Sequence, residues 1–434
     1  MRHLLIVLSL FMALPATAQT DVKTVTSEGG ITAWVVEEPY IPFIAIDIAF
    51  RGGNALDNED KYGAVEFMVS MLEEGTGDLD AVAFSNEQKR LGARFGFGSN
   101  RDSVEISAQV LNENRTESLD LLRRAIVEPR FDEVAFARVK GQLESSFRSD
   151  LEDPGTIAGA TMNMLAFPKH PYGEPLEGRL AQLQALTADD LRTAHKNALA
   201  KDRLLISIVG DITEQEVGPL LDTLFADLPE AGAPLPPEAD YRLEGGKTVV
   251  EIDNPQSIAL FMHEGIAFDD PDFFPAFVMN YVLGGGGLTS RLSTEIREKR
   301  GLTYGVGSYL ASYDLADVYA GQVASANEDI AQAIELVKSE WARMADGGLT
   351  EDELQAAQRY ITGSYPLRFD GNGRIAGVLT GMQLNELPIS YIQTRNERVN
   401  AVTLDDVGRV AAKLLQPENL HFVVVGDPIG LSTQ

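Results

Sequence analysis

LTADDLRTAHKNALAKDRLLISIVGD, residues Leu186–Asp211, is matched without a gap by VTLDDVGRVAAKLLQPENLHFVVVGD, residues Val402–Asp427. Thr187 aligns with Thr403 and Gly210 with Gly426, a constant offset of 216 residues. Each copy opens on a threonine N-cap with two aspartates in the first turn. It continues as a helix and ends in an apolar strand closed by Val-Gly-Asp. A repeat of this length in a chain of 434 residues implies two copies of one fold, each of roughly 200 residues.

The flanking segments repeat the same order. In the first half, Ile31–Val36 and Ile44–Phe50 read as strands, and Phe95–Gly98 with Val104–Val110 as a hairpin. Helical periodicity covers Ala64–Glu73, Ala81–Leu91, Glu117–Ile126 and Glu133–Leu151. In the second half, Thr248–Ile252 and Ile258–Phe261 read as strands, Phe273–Leu283 and Thr289–Lys299 as helices, and Tyr304–Leu310 with Val318–Ala324 as a strand pair. Helices at Ile330–Met344 and Glu351–Ile361 follow. Hairpins interspersed with long helices predict an α+β class, each half a sandwich of a mixed or antiparallel sheet with helices on one face. The segment 228–246, LPEAGAPLPPEADYRLEGG, holds four prolines and reads as a semi-extended linker between a first domain at 19–227 and a second at 247–434.

Residues 1–18 have the form of a secretory signal peptide: a charged start, an apolar run from Leu4 to Leu14, and Ala16-Thr17-Ala18, with cleavage expected after Ala18. The run is too short to span a bilayer, so the expectation is a periplasmic or secreted protein without a membrane anchor. With no cysteine, disulfides, thiolate metal sites and a thiol nucleophile are excluded. A net charge of −29 argues against nucleic acid and anionic membranes as partners.

The most information-dense stretch is LGGGGLTSRLSTEIREKRGLTY, Leu283–Tyr304. Gly284, Gly285, Gly286 and Gly287 allow positive φ and close backbone approach. Leu288, Leu292 and Ile296, spaced by four, predict one buried helical face. Arg297, Lys299 and Arg300 fall in the last turn, and Gly301 ends the helix. The ordinary reading is a helix joined to a strand through a glycine cap. No Lys-Ser or Lys-Thr follows the glycines, so this is not a phosphate-binding P-loop.

Among the histidines, His170, His195, His263 and His421 have no second histidine within a helical turn or two, so no two-histidine zinc helix forms locally. For each, a capping or core role is the ordinary explanation. No GxSxG elbow occurs, and the carboxylates form no local acid/base pattern.

Four features together resemble the pitrilysin/insulinase family of metallopeptidases, in the two-domain form that includes bacterial processing proteases and mitochondrial processing peptidase subunits. They are RGGNALDNEDKYGAVEFMVSMLEEGT (Arg51–Thr76), FPKHPYGEPLEG (Phe167–Gly178), LGGGGLTSRLSTEIREKRGLTYGVGS (Leu283–Ser308) and the Val-Gly-Asp strand of both halves. Active members carry HxxEH on the first helix, with two histidines on zinc and the glutamate activating water, and a later glutamate as third ligand. Aligned on Gly63 and Gly75-Thr76, this chain has Glu66, Val69 and Ser70 at those three positions, and Ser146 at the third-ligand position. No metal is therefore expected in this chain.

The resemblance further implies that Arg297 and Tyr304, seven residues apart, match an arginine and tyrosine that hold substrate across the cleft in family assemblies, and that Gly284–Gly287 begin a substrate-handling loop. A chain with that pair and without the zinc motif is expected to be the non-catalytic half of a heterodimeric zinc endopeptidase, similar in role to the alpha subunit of the processing peptidase. A homologous HxxEH-bearing partner would hold the zinc, and a peptide would lie between the two. The alternatives are an inert peptide-binding or scaffold protein of the same fold, and a homodimeric peptidase with an unrecognised site.

Overall fold

The computed structural model describes residues 21–433. The expected signal peptide, 1–18, lies outside the described residues.

Two sheets organise these residues. In spatial order the first runs Lys23–Thr26, Thr32–Glu37, Leu204–Gly210, Phe43–Arg51, Ser103–Leu111, Arg94–Ser99. The second runs Val306–Ser312, Asp317–Ala326, Gln256–Glu264, His421–Gly426, Gly246–Glu251. Both are mixed, with one parallel pair each: Thr32–Glu37 with Leu204–Gly210, and His421–Gly426 with Gly246–Glu251. The two Val-Gly-Asp strands of the repeat occupy equivalent places, each between the parallel partner and a central antiparallel strand. Each repeat helix begins with a full capping box, Thr187 with Asp190 and Thr403 with Asp406, as the threonine and acidic first turn predict.

Strand alternation explains how both faces of each sheet are covered. Ile44, Ile46, Ile48 and Phe50 point to one side and pack with Phe67, Leu122, Leu191 and Leu221 from helices of the same half. Ala45 and Val209 point to the other side, where they join Ile375, Ala376 and Leu379. Those three belong to the helix Asn372–Leu384 of the second half, which lies across Phe43–Arg51 and Leu204–Gly210. The exchange is reciprocal. The helix Pro154–Ala166 of the first half lies on Gln256–Glu264 and His421–Gly426, placing Ala158, Met162 and Ala166 against Met262, Val423 and Val425. Helices on one face therefore describes each half's own helices, and the second face is covered by a helix lent by the other half.

The segment 228–246 has no helix or strand before Gly246 but does not hang free. Ala239 N donates to Leu315 O at 2.8 Å and Arg242 N to Ala166 O at 2.8 Å, while Tyr241 meets Phe167 edge to face. It is an extended strap pinned to both halves.

Candidate functional site

The helix at the position of the zinc motif spans Ala64–Ser70, shorter than the expected Ala64–Glu73, because residues 71–73 form turns. Its N-terminus is capped from a distance: the Asp57 carboxylate accepts from Gly63 N at 2.7 Å and Val65 N at 2.9 Å. Burial pushes the Asp57 carboxyl up to about 7 against the pull of those two donors, with the charges of Glu174 and Glu66 adding to the rise. One turn before the helix, Arg179 stacks on Tyr62 at 4.1 Å and donates to its hydroxyl at 2.9 Å.

The side chains at the motif positions do not fit zinc. Glu66 is accessible to solvent, and its carboxyl is raised above the ordinary value through desolvation first and the charge of Asp150 second. Val69 is buried in the core at 2 % exposure. The hydroxyl of Ser70 donates back to Glu66 O at 2.9 Å, and Ser146 is exposed on the helix Glu133–Asp150. A single carboxylate without imidazole or thiolate neighbours cannot make a tetrahedral zinc site. Among the described residues no group of three or more His, Cys, Asp or Glu side chains converges to hold a metal.

All four histidines of the described residues have structural partners. His170 accepts from Tyr172 N at 3.2 Å and reaches Pro237 O at 3.0 Å, fastening the strap. His195 bonds Ile126 O at 2.6 Å, and His421 bonds Glu244 O at 2.8 Å and Thr248 Oγ1 at 2.9 Å. His263 accepts from Trp341 Nε1 at 3.2 Å and donates from Nδ1 to Glu264 O at 2.6 Å, and burial lowers its pKa to about 4, so it is a neutral core histidine.

The glycine stretch departs from the expected regular helix. The helix Phe273–Asn280 widens into a π-helical turn at Tyr281–Gly285, a 3₁₀ turn covers Gly287–Thr289, and Ser293–Glu298 is again π-helical. Leu292 and Ile296 are fully buried as their spacing predicts, but Leu288 sits in the 3₁₀ turn and is 65 % exposed. The glycines have separate reasons. A Cβ on Gly284 would collide with Ser308 and one on Gly286 would lie 2.7 Å from Tyr281 O, whereas Gly287 has open space but φ of +61°. A Cβ on Gly285 would lie 2.8 Å from Asn280 Nδ2.

This distorted segment fixes where Arg297 and Tyr304 go. Glu295 takes Lys299 and Arg300, leaving Arg297 without an ion pair among the described residues. Gly301, at φ +68°, closes the helix with its N–H on Arg297 O at 3.0 Å, as a C′ glycine does. Tyr304 is not on the strand, which begins at Val306. Thr303 Oγ1 donates to Ala324 O at 2.6 Å and accepts from Gly305 N at 3.0 Å, and Ser325 Oγ donates to Leu302 O. These bonds hold a turn that projects Tyr304 into solvent at 90 % exposure. Arg297 and Tyr304 line one recess of about 600 Å³ together with Leu288, Thr303 and Asp329. Thr303 and Asp329 carry no motif that marks them in the sequence. Every residue lining the recess lies between Gln256 and Asp329. Neither the glycine loop beyond Leu288 nor the Glu66 helix enters it. The arrangement offers a forked cation and a phenol on an open, partly apolar wall, suited to holding the backbone of an extended chain.

The family models for insulinase (peptidase family M16) and for the peptidase M16 inactive domain match residues 33–178 and 185–361. The chain belongs to the insulinase family. The altered zinc positions Glu66, Val69, Ser70 and Ser146 fall in the half matched by the insulinase model, and the inactive-domain model matches the other half. A protein of Helicobacter pylori named non-peptidase homolog YmxG is 24% identical over 97% of both chains. The beta subunit of the mitochondrial-processing peptidase of Lentinula edodes is 21% identical over 95% of this chain and 91% of its own. A crystal structure from Pseudomonas fluorescens, described as a peptidase M16 inactive domain, superposes with a TM-score of 0.87 at 27% identity, covering 95% of this chain and 99% of that one. The paired-sandwich fold of this insulinase-family chain is thus the one expected from its sequence.

Proposed function

We propose that this insulinase-family chain is an exported, non-catalytic subunit that binds peptide substrate and completes, in trans, the active site of a homologous HxxEH-bearing zinc endopeptidase. The observation that carries the reading is a contrast within one chain. The zinc positions Glu66, Val69, Ser70 and Ser146 have lost their ligands, while Arg297 and Tyr304 share a recess, and the guanidinium has no ion pair among the described residues. Zinc in the partner would polarise the scissile carbonyl and activate water. On this chain, Arg297 holds a substrate carbonyl or carboxylate by its planar fork, and the Tyr304 hydroxyl donates to the oxygen that gains charge during attack. Gly284–Gly287, which do not line this recess, precede Leu288 in the chain and are proposed to handle substrate outside it. The relative named as a subunit of a processing peptidase supports an assembly of homologous chains.

The experiment is purification of the chain from its native host under mild conditions, followed by identification of partners and zinc analysis. A stoichiometric HxxEH partner with zinc, and no peptidase activity from the chain alone, is the expected result. A second reading, an inert peptide-binding or scaffold protein, is favoured by the relative named a non-peptidase homolog. Purification of the chain without such a partner would select it. Chelator-sensitive activity of the pure chain would overturn both.

A further inference from the structure

Two connected recesses of about 710 and 930 Å³ form one groove where the strap, the Tyr313–Asp317 hairpin turn and the loop after Gln256–Glu264 meet the end of the exchanged helix. The groove shares no lining residue with the Arg297 and Tyr304 recess. Its walls are fixed by the backbone bonds Ala239 N to Leu315 O and Gly265 N to Asp317 O, 2.8 and 2.9 Å. Arg51, from the first half, closes one end by donating to Asp314 at 2.8 Å and to Gln383 O and Leu384 O at 3.1 and 2.6 Å.

Part of the floor is apolar, with Phe268, Phe274, Pro275 and Leu387. The rim is mainly acidic: of its cations, Arg51 pairs with Asp314 and Arg409 and Lys413 pair with Asp272, while Arg398, without an ion pair among the described residues, lies over the Phe274 ring at 5.8 Å. Glu238, Glu264, Asp269 and Asp317 keep no ion pair among the described residues. These carboxylates sense one another. Asp317 is held above the usual range first by burial and then by the charges of Asp269, Glu238 and Glu264. The hydroxyl of Tyr241, which lines the same groove, is buried without a partner.

We infer that this groove docks an extended segment of a partner protein that carries alternating arginine or lysine and apolar residues. Charge complementarity selects the occupant: cations would pair with the free carboxylates, while apolar residues cover the floor. A metal ion does not satisfy the groove, because no three of its carboxylates converge on a common point. Nucleic acid is repelled. Each recess alone has the volume of a small-molecule pocket, and the two adjoin through shared lining residues such as Glu238 and Tyr313, which suits a peptide.

The test uses fluorescence anisotropy with the mature chain and a fluorescein-labelled nonapeptide of alternating arginine and leucine. A glutamate-for-arginine peptide and spermidine serve as comparisons. The labelled peptide is expected to bind, with the glutamate peptide and spermidine failing to displace it at equal concentration. The double substitution Asp269→Asn with Asp317→Asn is expected to raise Kd by about tenfold, one decade being what two partly exposed ion pairs supply. Glu28→Gln with Glu113→Gln removes the same charge elsewhere on the surface and is expected to leave Kd unchanged. Arg297→Ala with Tyr304→Phe is likewise expected to leave it unchanged, which separates this groove from the proposed trans site. Equal loss in the charge-matched control, displacement by spermidine at equal concentration, or absence of binding would overturn the inference.

Discussion

The guanidinium of Arg291 grips both carboxylate oxygens of Glu353, at 2.8 and 2.7 Å, and donates as well to Gly348 O at 2.9 Å. Glu353 is at the same time the third residue of the capping box that starts the helix Glu351–Ser364. One carboxylate therefore both begins that helix and anchors the distorted segment that carries Arg297 six residues on.

The pairing sets a pH dependence. The Arg291 hydrogen bonds, against a smaller burial cost and with help from Thr350, hold the Glu353 carboxyl down to about 2. Because the folded value is depressed, the stabilisation is full above the unfolded value near 4.5 and is lost as pH falls toward 2. With its side chain partly exposed to solvent, Glu353→Gln should cost about 1–2 kcal/mol at pH 7. In urea melts the gap to the parent should narrow at pH 3.

Asp47 has the opposite sign. It lies beneath the exchanged helix near Gly377 and Thr380, and burial raises its carboxyl to about 6, Thr380 opposing and Glu105 adding. The unfavourable term is absent below the unfolded value near 3.8 and grows as pH rises through 6. Asp47→Asn should therefore stabilise the chain by about 1–2 kcal/mol at pH 7.5 and by nothing measurable at pH 4, read from denaturant midpoints.

The exchanged helices make the halves interdependent. Leu379 is fully buried in the core shared with Ala45 and Val209 of the other half. Leu379→Ala should cost about 2–5 kcal/mol and lower the melting of both halves in one calorimetric transition. A fragment ending before Gly246 should lose its near-ultraviolet dichroism when produced alone.

The glycines of Leu283–Tyr304 separate by cause. A Cβ at Gly284 would be 2.6 Å from Ser308 N, a backbone atom that cannot move aside, so Gly284→Ala should disrupt the fold of the segment. At Gly287 the space is open and only the positive φ resists, so Gly287→Ala should cost about 1 kcal/mol. Thermal melts of the two variants distinguish them.

Much of this was legible in the sequence. The offset between Thr187 and Thr403 gave away the duplication, and Gly301 and the N-cap threonines behave as their chemistry requires. The helices Pro154–Ala166 and Asn372–Leu384 escaped notice because they are small and apolar with little polar face to set a period, which is what burial against a foreign sheet demands. Leu288 and Tyr304 were misplaced for a related reason. The π-helical turns shift the register by less than a period can reveal, and the turn at Tyr304 depends on Thr303 bonding a carbonyl twenty-one residues away. The altered zinc positions could be found only through the family resemblance, since Glu66, Val69 and Ser70 form an ordinary amphipathic helix by themselves.

The most direct test of the trans-site reading is turnover of the complex reconstituted from this chain and its HxxEH partner, with kcat and KM measured on a quenched-fluorescent peptide. Both substitutions, Arg297→Ala and Tyr304→Phe, should leave complex formation intact; Tyr304→Phe should lower kcat by about 10²–10³-fold, the range for loss of one donor to a developing oxyanion, and Arg297→Ala should act mainly by raising KM. Undiminished kcat with both substitutions in place would contradict it.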